Sequence, residues 1–188
     1  AFSSANLPDR ISSPITTIAA VARGTACASY DPQARLSPPL RTEADRQALL
    51  AGLVDGTLDA IATDHAPCAL TEKEGLFEEA APGAVGLETA VAVVLGLVAS
   101  GAVPLRRALE ALTVAPARAF ALAGAGTLGL GGRADLAVLD PGRAWTVGAD
   151  ELVGKSKNTP LTGRRLVGRA VLTLFGGVAT CDRDRRLA

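Results

Sequence analysis

Thr42 to Thr63 is the stretch that most restricts what this chain can become. Thr42 followed by Asp45 has the form of a capping box. Leu49, Leu50, Leu53 and Val54 supply an apolar helical stripe, and Gly56 is placed to stop it. Leu58 to Thr63 then reads as a short buried strand. Helix, tight turn and buried strand make one repeat of an α/β barrel or doubly wound sheet.

The strand runs out at Asp64-His65, and His65 is the only histidine in the chain. In a (β/α) barrel, groups at the C-terminal ends of strands face the active-site mouth. An aspartate there can bind a metal or act as a general base. The alternative from spacing alone is an Asp that caps the next segment and a His satisfied by backbone hydrogen bonds. A zinc site that activates water needs about three protein ligands and an open position, and one His and one Asp do not make it. Cys68, three residues on, is near enough in sequence to be activated by His65. No oxyanion donor accompanies it, so a structural thiol is expected.

Composition narrows the class. Hydrophobic residues are 48% of the 188, which argues for a packed core, and aromatics are 3%, so that core is built from Ala, Val and Leu. Nineteen basic and nineteen acidic residues cancel without clustering, which excludes a nucleic-acid footprint. Cys27, Cys68 and Cys181 are odd in number and lack C-x-x-C spacing, as in a reducing compartment. Ala1-Phe2-Ser3-Ser4 shows no basic segment leading an apolar one, so a cytoplasmic location is expected. Thr89 to Leu105 is free of charge but short and interrupted by Gly96, Gly101 and Pro104, which reads as a buried helix and not a membrane span.

Three regions follow. Residues 1–29 are Ser/Thr/Ala-rich without sustained apolar period and read as a poorly determined segment. Residues 30–123 read as part of a (β/α) barrel, with helices at about 86–100, 104–112 and 115–121. Between Asp64 and Gly83 lies a long polar loop with Glu72, Lys73, Glu74, Glu78 and Glu79, expected to be a solvated face on a functional loop. Residues 124–188 read as a β-rich subdomain with strands at 134–140 and 169–175. Gly124-Ala-Gly126-Thr-Leu-Gly129 fits a dinucleotide fingerprint as a string but follows a helix and precedes strands, so it reads as a turn.

Several of these stretches occur in an order that resembles one family. Tyr30-Asp31-Pro32, Ser37-Pro38-Pro39-Leu40-Arg41, and Asp55-Gly-Thr-Leu-Asp-Ala-Ile-Ala-Thr-Asp64-His65-Ala66-Pro67 come first. Glu72-Lys73-Glu74-Gly75, Gly86-Leu87-Glu88-Thr89, Pro116-Ala117-Arg118 and Lys155-Ser156-Lys157-Asn158-Thr159-Pro160 follow. Together they resemble the C-terminal part of class I dihydroorotases of the zinc amidohydrolase superfamily, over about residues 30 to 180 with 1–29 outside.

The resemblance implies the C-terminal portion of a (β/α)8 TIM-type barrel followed by a small β-subdomain. It implies zinc, and a substrate pair of dihydroorotate and carbamoyl aspartate. Asp64 matches the aspartate that touches the metal and passes a proton to the leaving amide nitrogen. Pro82 and Gly83 match backbone that holds substrate. Ser37 and Cys68 stand where the family has a substrate-binding Asn and His, and Ala115 stands where it has Asn. The family's His-x-His pair, bridging lysine and two further metal-binding histidines have no counterpart, and Gly24 to Ser29 occupies the place of the last.

The chain is therefore expected to be an incomplete copy that does not hold zinc tightly or turn over alone. A complete (β/α)8 barrel needs about 250 residues. A second expectation is a catalytically silent subunit that scaffolds aspartate carbamoyltransferase or another chain. A third is a fragment of a hydantoinase or allantoinase.

Overall fold

The computed structural model describes residues 15–16 and 27–184. Most of the 1–29 segment therefore lies outside the described residues. Two of its residues, Ile15–Thr16, form a strand, β1.

Helix α1 spans Glu43–Asp55 and begins as expected. Asp45 N donates to Thr42 Oγ1 at 3.2 Å, and Thr42 N donates to the Asp45 carboxylate at 3.1 Å. Gly56 closes it in the left-handed region, with φ +88°. Leu50 and Leu53 are buried and Leu49 partly so, but Val54 is 44% exposed, contrary to the expected stripe. Neighbouring helical residues point about 100° apart, so Leu53 and Val54 do not both face one core.

The strand after α1 is shorter and less buried than its apolar run suggests. β2 is only Ile61–Ala62, half-buried, and it pairs in parallel with β1 (Ile15 opposite Ile61). The reason lies in Arg107, whose guanidinium donates to the carbonyls of Leu53 (2.7 Å), Leu58 and Asp59 (3.2 Å). Those oxygens are occupied by a side chain and not by a neighbouring strand.

Three helices follow: α2 (Ala90–Ala99), α3 (Leu105–Leu112), begun by Pro104, and α4 (Val114–Ala119). Helix α2 is apolar all round because it is covered on two sides. Val94 and Leu97 join Leu50, Leu53, Val103, Ala108 and Ala111 in one cluster. Ala92 and Val93 join Trp145, Val147, Leu152 and Leu161 in another. No helix among the described residues is long and apolar enough to cross a membrane. The Gly124–Gly129 string is a turn between α4 and the final sheet.

That sheet is antiparallel, in the order β3 (Leu136–Thr146), β4 (Arg165–Phe175), β5 (Val178–Asp182). Both expected strands are longer than their apolar cores, and β5 is an addition. Gly176-Gly177, both at positive φ, make the two-residue turn into it. The sheet lies on α2 at Gly168, where an added Cβ would come within 2.5 Å of Leu95.

Candidate active site

The end of β2 meets a second segment, residues 82–87, along a line fixed by two glycines. A Cβ on Gly86 would stand 2.6 Å from the Thr63 carbonyl, and one on Gly83 2.8 Å from the Ala66 methyl. Gly83 also has φ +139°, a conformation L side chains rarely adopt. Ala66 N donates to Ala84 O at 2.9 Å, and His65 and Ala84 form an isolated parallel bridge.

Asp64 occupies the left-handed region, with φ +48°, immediately past the strand. Its side chain is exposed and has no hydrogen-bond or ion-pair partner among the described residues. Non-glycine residues in this conformation are uncommon and occur at turns and functional sites. His65 behaves differently. Its Nδ1 accepts from Gly86 N at 3.2 Å and Leu87 N at 3.4 Å. A nitrogen that accepts keeps its lone pair, so the ring proton sits on Nε2.

Cys68 is 8% exposed, with its Sγ directed at the carbonyls of Ala66 (3.7 Å) and Pro82 (3.9 Å). All three cysteines are free. Pro82–Gly83 thus lies directly over Cys68. Gly83 N donates to Arg35 O at 3.0 Å, which commits that N–H internally. Ser37 is exposed, on a loop whose Leu36 and Leu40 pack with Ala84.

Two polar side chains organise these loops without having stood out as site residues in the sequence. Lys73 is 4% exposed, and its Nζ donates to Pro32 O at 3.0 Å and Arg35 O at 3.1 Å. Burial holds its ammonium below the usual lysine range, and the Arg35 guanidinium adds to the shift. The expected solvated face therefore holds for Glu72, Glu74, Glu78 and Glu79, and is wrong for Lys73. Asn158 is 5% exposed and contacts both segments through its carboxamide. The sequence signal for both was only their place inside the stretches that carry the family resemblance, Glu72 to Gly75 and Lys155 to Pro160.

The donor set does not by itself fit a hydrolytic zinc. Among the described residues no three His, Cys, Asp or Glu side chains come together to hold a metal. His65 has its Nδ1 lone pair taken by the Gly86 and Leu87 N–H groups and its proton on Nε2, Asp64 offers one carboxylate, and Cys68 is turned inward.

The sequence model of the amidohydrolase family matches residues 11–171. This chain belongs to the amidohydrolase family. The match begins ahead of Tyr30, so residues 11–29 belong to the family region, a correction to their expected exclusion. The chain is 55% identical over 148 residues to a dihydroorotase of Anaeromyxobacter sp. (strain K), covering 79% of this chain and 34% of that protein. It is 42% identical over 155 residues to a dihydroorotase of Geotalea daltonii, covering 82% and 36%. It thus spans about a third of the length of these amidohydrolase relatives.

Among solved structures it superposes on an L-hydantoinase (dihydropyrimidinase) from Arthrobacter aurescens with TM-score 0.83 and 27% identity, over 89% of this chain and 38% of that one. The dihydropyrimidinase from Brevibacillus agri gives 0.81 at 21% identity over the same shares, which speaks for the α/β amidohydrolase fold alone.

Proposed function

We propose that this chain is the C-terminal portion of a dihydroorotase barrel with the sheet that follows it. It supplies the carboxylate and the substrate-facing loops for reversible opening of the cyclic amide of dihydroorotate. Asp64 carries the reading. It is an exposed carboxylate without a partner among the described residues, in a strained conformation at the end of a parallel strand. Such a group is free to take up and hand on a proton. The 55% identity to a dihydroorotase, against 27% to a hydantoinase, supports the dihydroorotase branch.

Within the site, Pro82–Gly83 faces substrate beside Asp64. The Gly83 carbonyl keeps one lone pair after accepting from Asn158, whereas its N–H is spent on Arg35. Ser37 and Cys68 are shorter than the Asn and His that the family resemblance places there. Zinc belongs to the family chemistry, and among the described residues Asp64 is the side chain that would contribute to holding it.

The test is to exchange the matched region of the Anaeromyxobacter dihydroorotase for this chain and assay dihydroorotate hydrolysis with zinc. Turnover that Asp64→Asn abolishes is expected. A soluble, zinc-loaded chimera without turnover would overturn the proposal and favour the silent scaffold, for which co-purification with aspartate carbamoyltransferase is the positive sign. The buried Cys68 thiol and the missing donor set are what favour that second reading. The isolated chain is expected to be zinc-free and inactive.

A further inference from the structure

We propose that Asn158 is the positioning residue of this site: its carboxamide ties the turn after Asp64 to the Pro82–Val85 segment and sets their spacing. The inference rests on reading Asp64 and Gly83 as working parts of an active site.

Asn158 Nδ2 donates to Ala66 O at 3.1 Å and to Gly83 O at 3.2 Å, and Oδ1 accepts from Cys68 N at 3.1 Å. Its own carbonyl accepts from Val85 N at 2.8 Å. A primary amide has two donor hydrogens and an acceptor oxygen, and both kinds of group are used. An aspartate keeps the acceptor and loses both donors. A leucine of similar size loses everything.

The two segments share no regular ladder beyond the single His65–Ala84 bridge. Asn158 takes the place of strand pairing from a third part of the chain. On the opposite side Gly83 N is held by Arg35 O, which Lys73 fixes in turn. Gly83 is thus gripped from both sides. Asn158 belongs to none of the hydrophobic clusters that hold the helices and sheet together. Its loss therefore shifts the loops before it dissolves the core. An error of about 1 Å in such spacing costs about 100-fold in catalysis.

The test uses the full chain and its three free thiols, labelled with N-ethylmaleimide and read residue by residue by mass spectrometry. Asn158→Asp keeps the partner of Cys68 N and releases Gly83. Pro82–Gly83, the cover over Cys68, then separates. Cys68 labelling is expected to rise about tenfold or more relative to Cys27 and Cys181. If the three thiols accelerate together, or none does, Asn158 is only structural and the proposal fails.

Should the variant not fold, native-state amide exchange of the unsubstituted chain decides. The Cys68 and Val85 amides are expected to open in one event with equal protection, and unequal protection overturns the clamp. Either failure leaves the role of Asp64 untouched. An inactive chimera with a working clamp sinks the functional reading alone.

Discussion

The imidazole of His65 accepts the Gly86 N–H at 3.2 Å, and the same glycine lies so near the strand that a Cβ would stand 2.6 Å from the Thr63 carbonyl. One contact is polar and one is steric, and together they seat residues 84–87 on the end of β2. His65 is thereby held as a structural acceptor, while the neighbouring Asp64 side chain has no partner among the described residues.

Two substitutions separate these contacts. His65→Phe keeps the ring and removes the acceptor, for a loss of about 1 kcal/mol at this exposed position. Gly86→Ala retains the acceptor but drives a methyl into backbone, for about 1–3 kcal/mol. Urea unfolding measures both. An unchanged midpoint in Gly86→Ala would mean that the two segments are not in contact.

The α1 cap gives an acid-side prediction. Hydrogen bonds from the Thr42 side chain and backbone hold the Asp45 carboxyl below the usual value of 3.8. A carboxyl lowered on folding stabilises above its unfolded value, and that contribution is lost as pH falls through the folded one. Thr42→Ala is expected to cost about 1 kcal/mol at neutral pH. Its difference from the parent should narrow below about pH 4. A constant difference down to pH 2 contradicts the capping box.

Lys73 gives the same sign at the alkaline end. Its buried ammonium is lowered from 10.5, so the unfolded chain binds that proton more tightly. Stability then rises with pH between the folded and unfolded values, and the gain is complete above 10.5. Lys73→Met removes the titration. Unfolding measured between pH 8 and about 10.5 should show the parent gaining on the variant. Parallel curves would place Lys73 in water.

Within the dihydroorotase chimera, Ser37→Asn and Cys68→His are expected to raise kcat/KM. Each restores hydrogen bonds worth about 1–3 kcal/mol to a polar substrate, or roughly 5- to 150-fold. Cys68→His also has to open the space under Pro82, so its gain is the smaller of the two. If both variants lower kcat/KM, the substrate does not lie beside Ser37 and Cys68.

What the sequence determined by itself was everything set by neighbours in the chain. Thr42 and Asp45 cap α1, Gly56 ends it, Pro104 starts α3, and the glycine-bounded runs at 134–140 and 169–175 become strands. Each depends on contacts within about one helical turn or on a single residue's φ. Tertiary structure decided the rest. Arg107 shortened β2 by taking carbonyls 48 and 49 residues away. Lys73 left a charged loop for carbonyls 38 and 41 residues back, and Asn158 reached segments 75 to 92 residues distant. A polar side chain is buried only where partners converge to satisfy it. That convergence belongs to the fold and leaves no periodicity in the sequence to read.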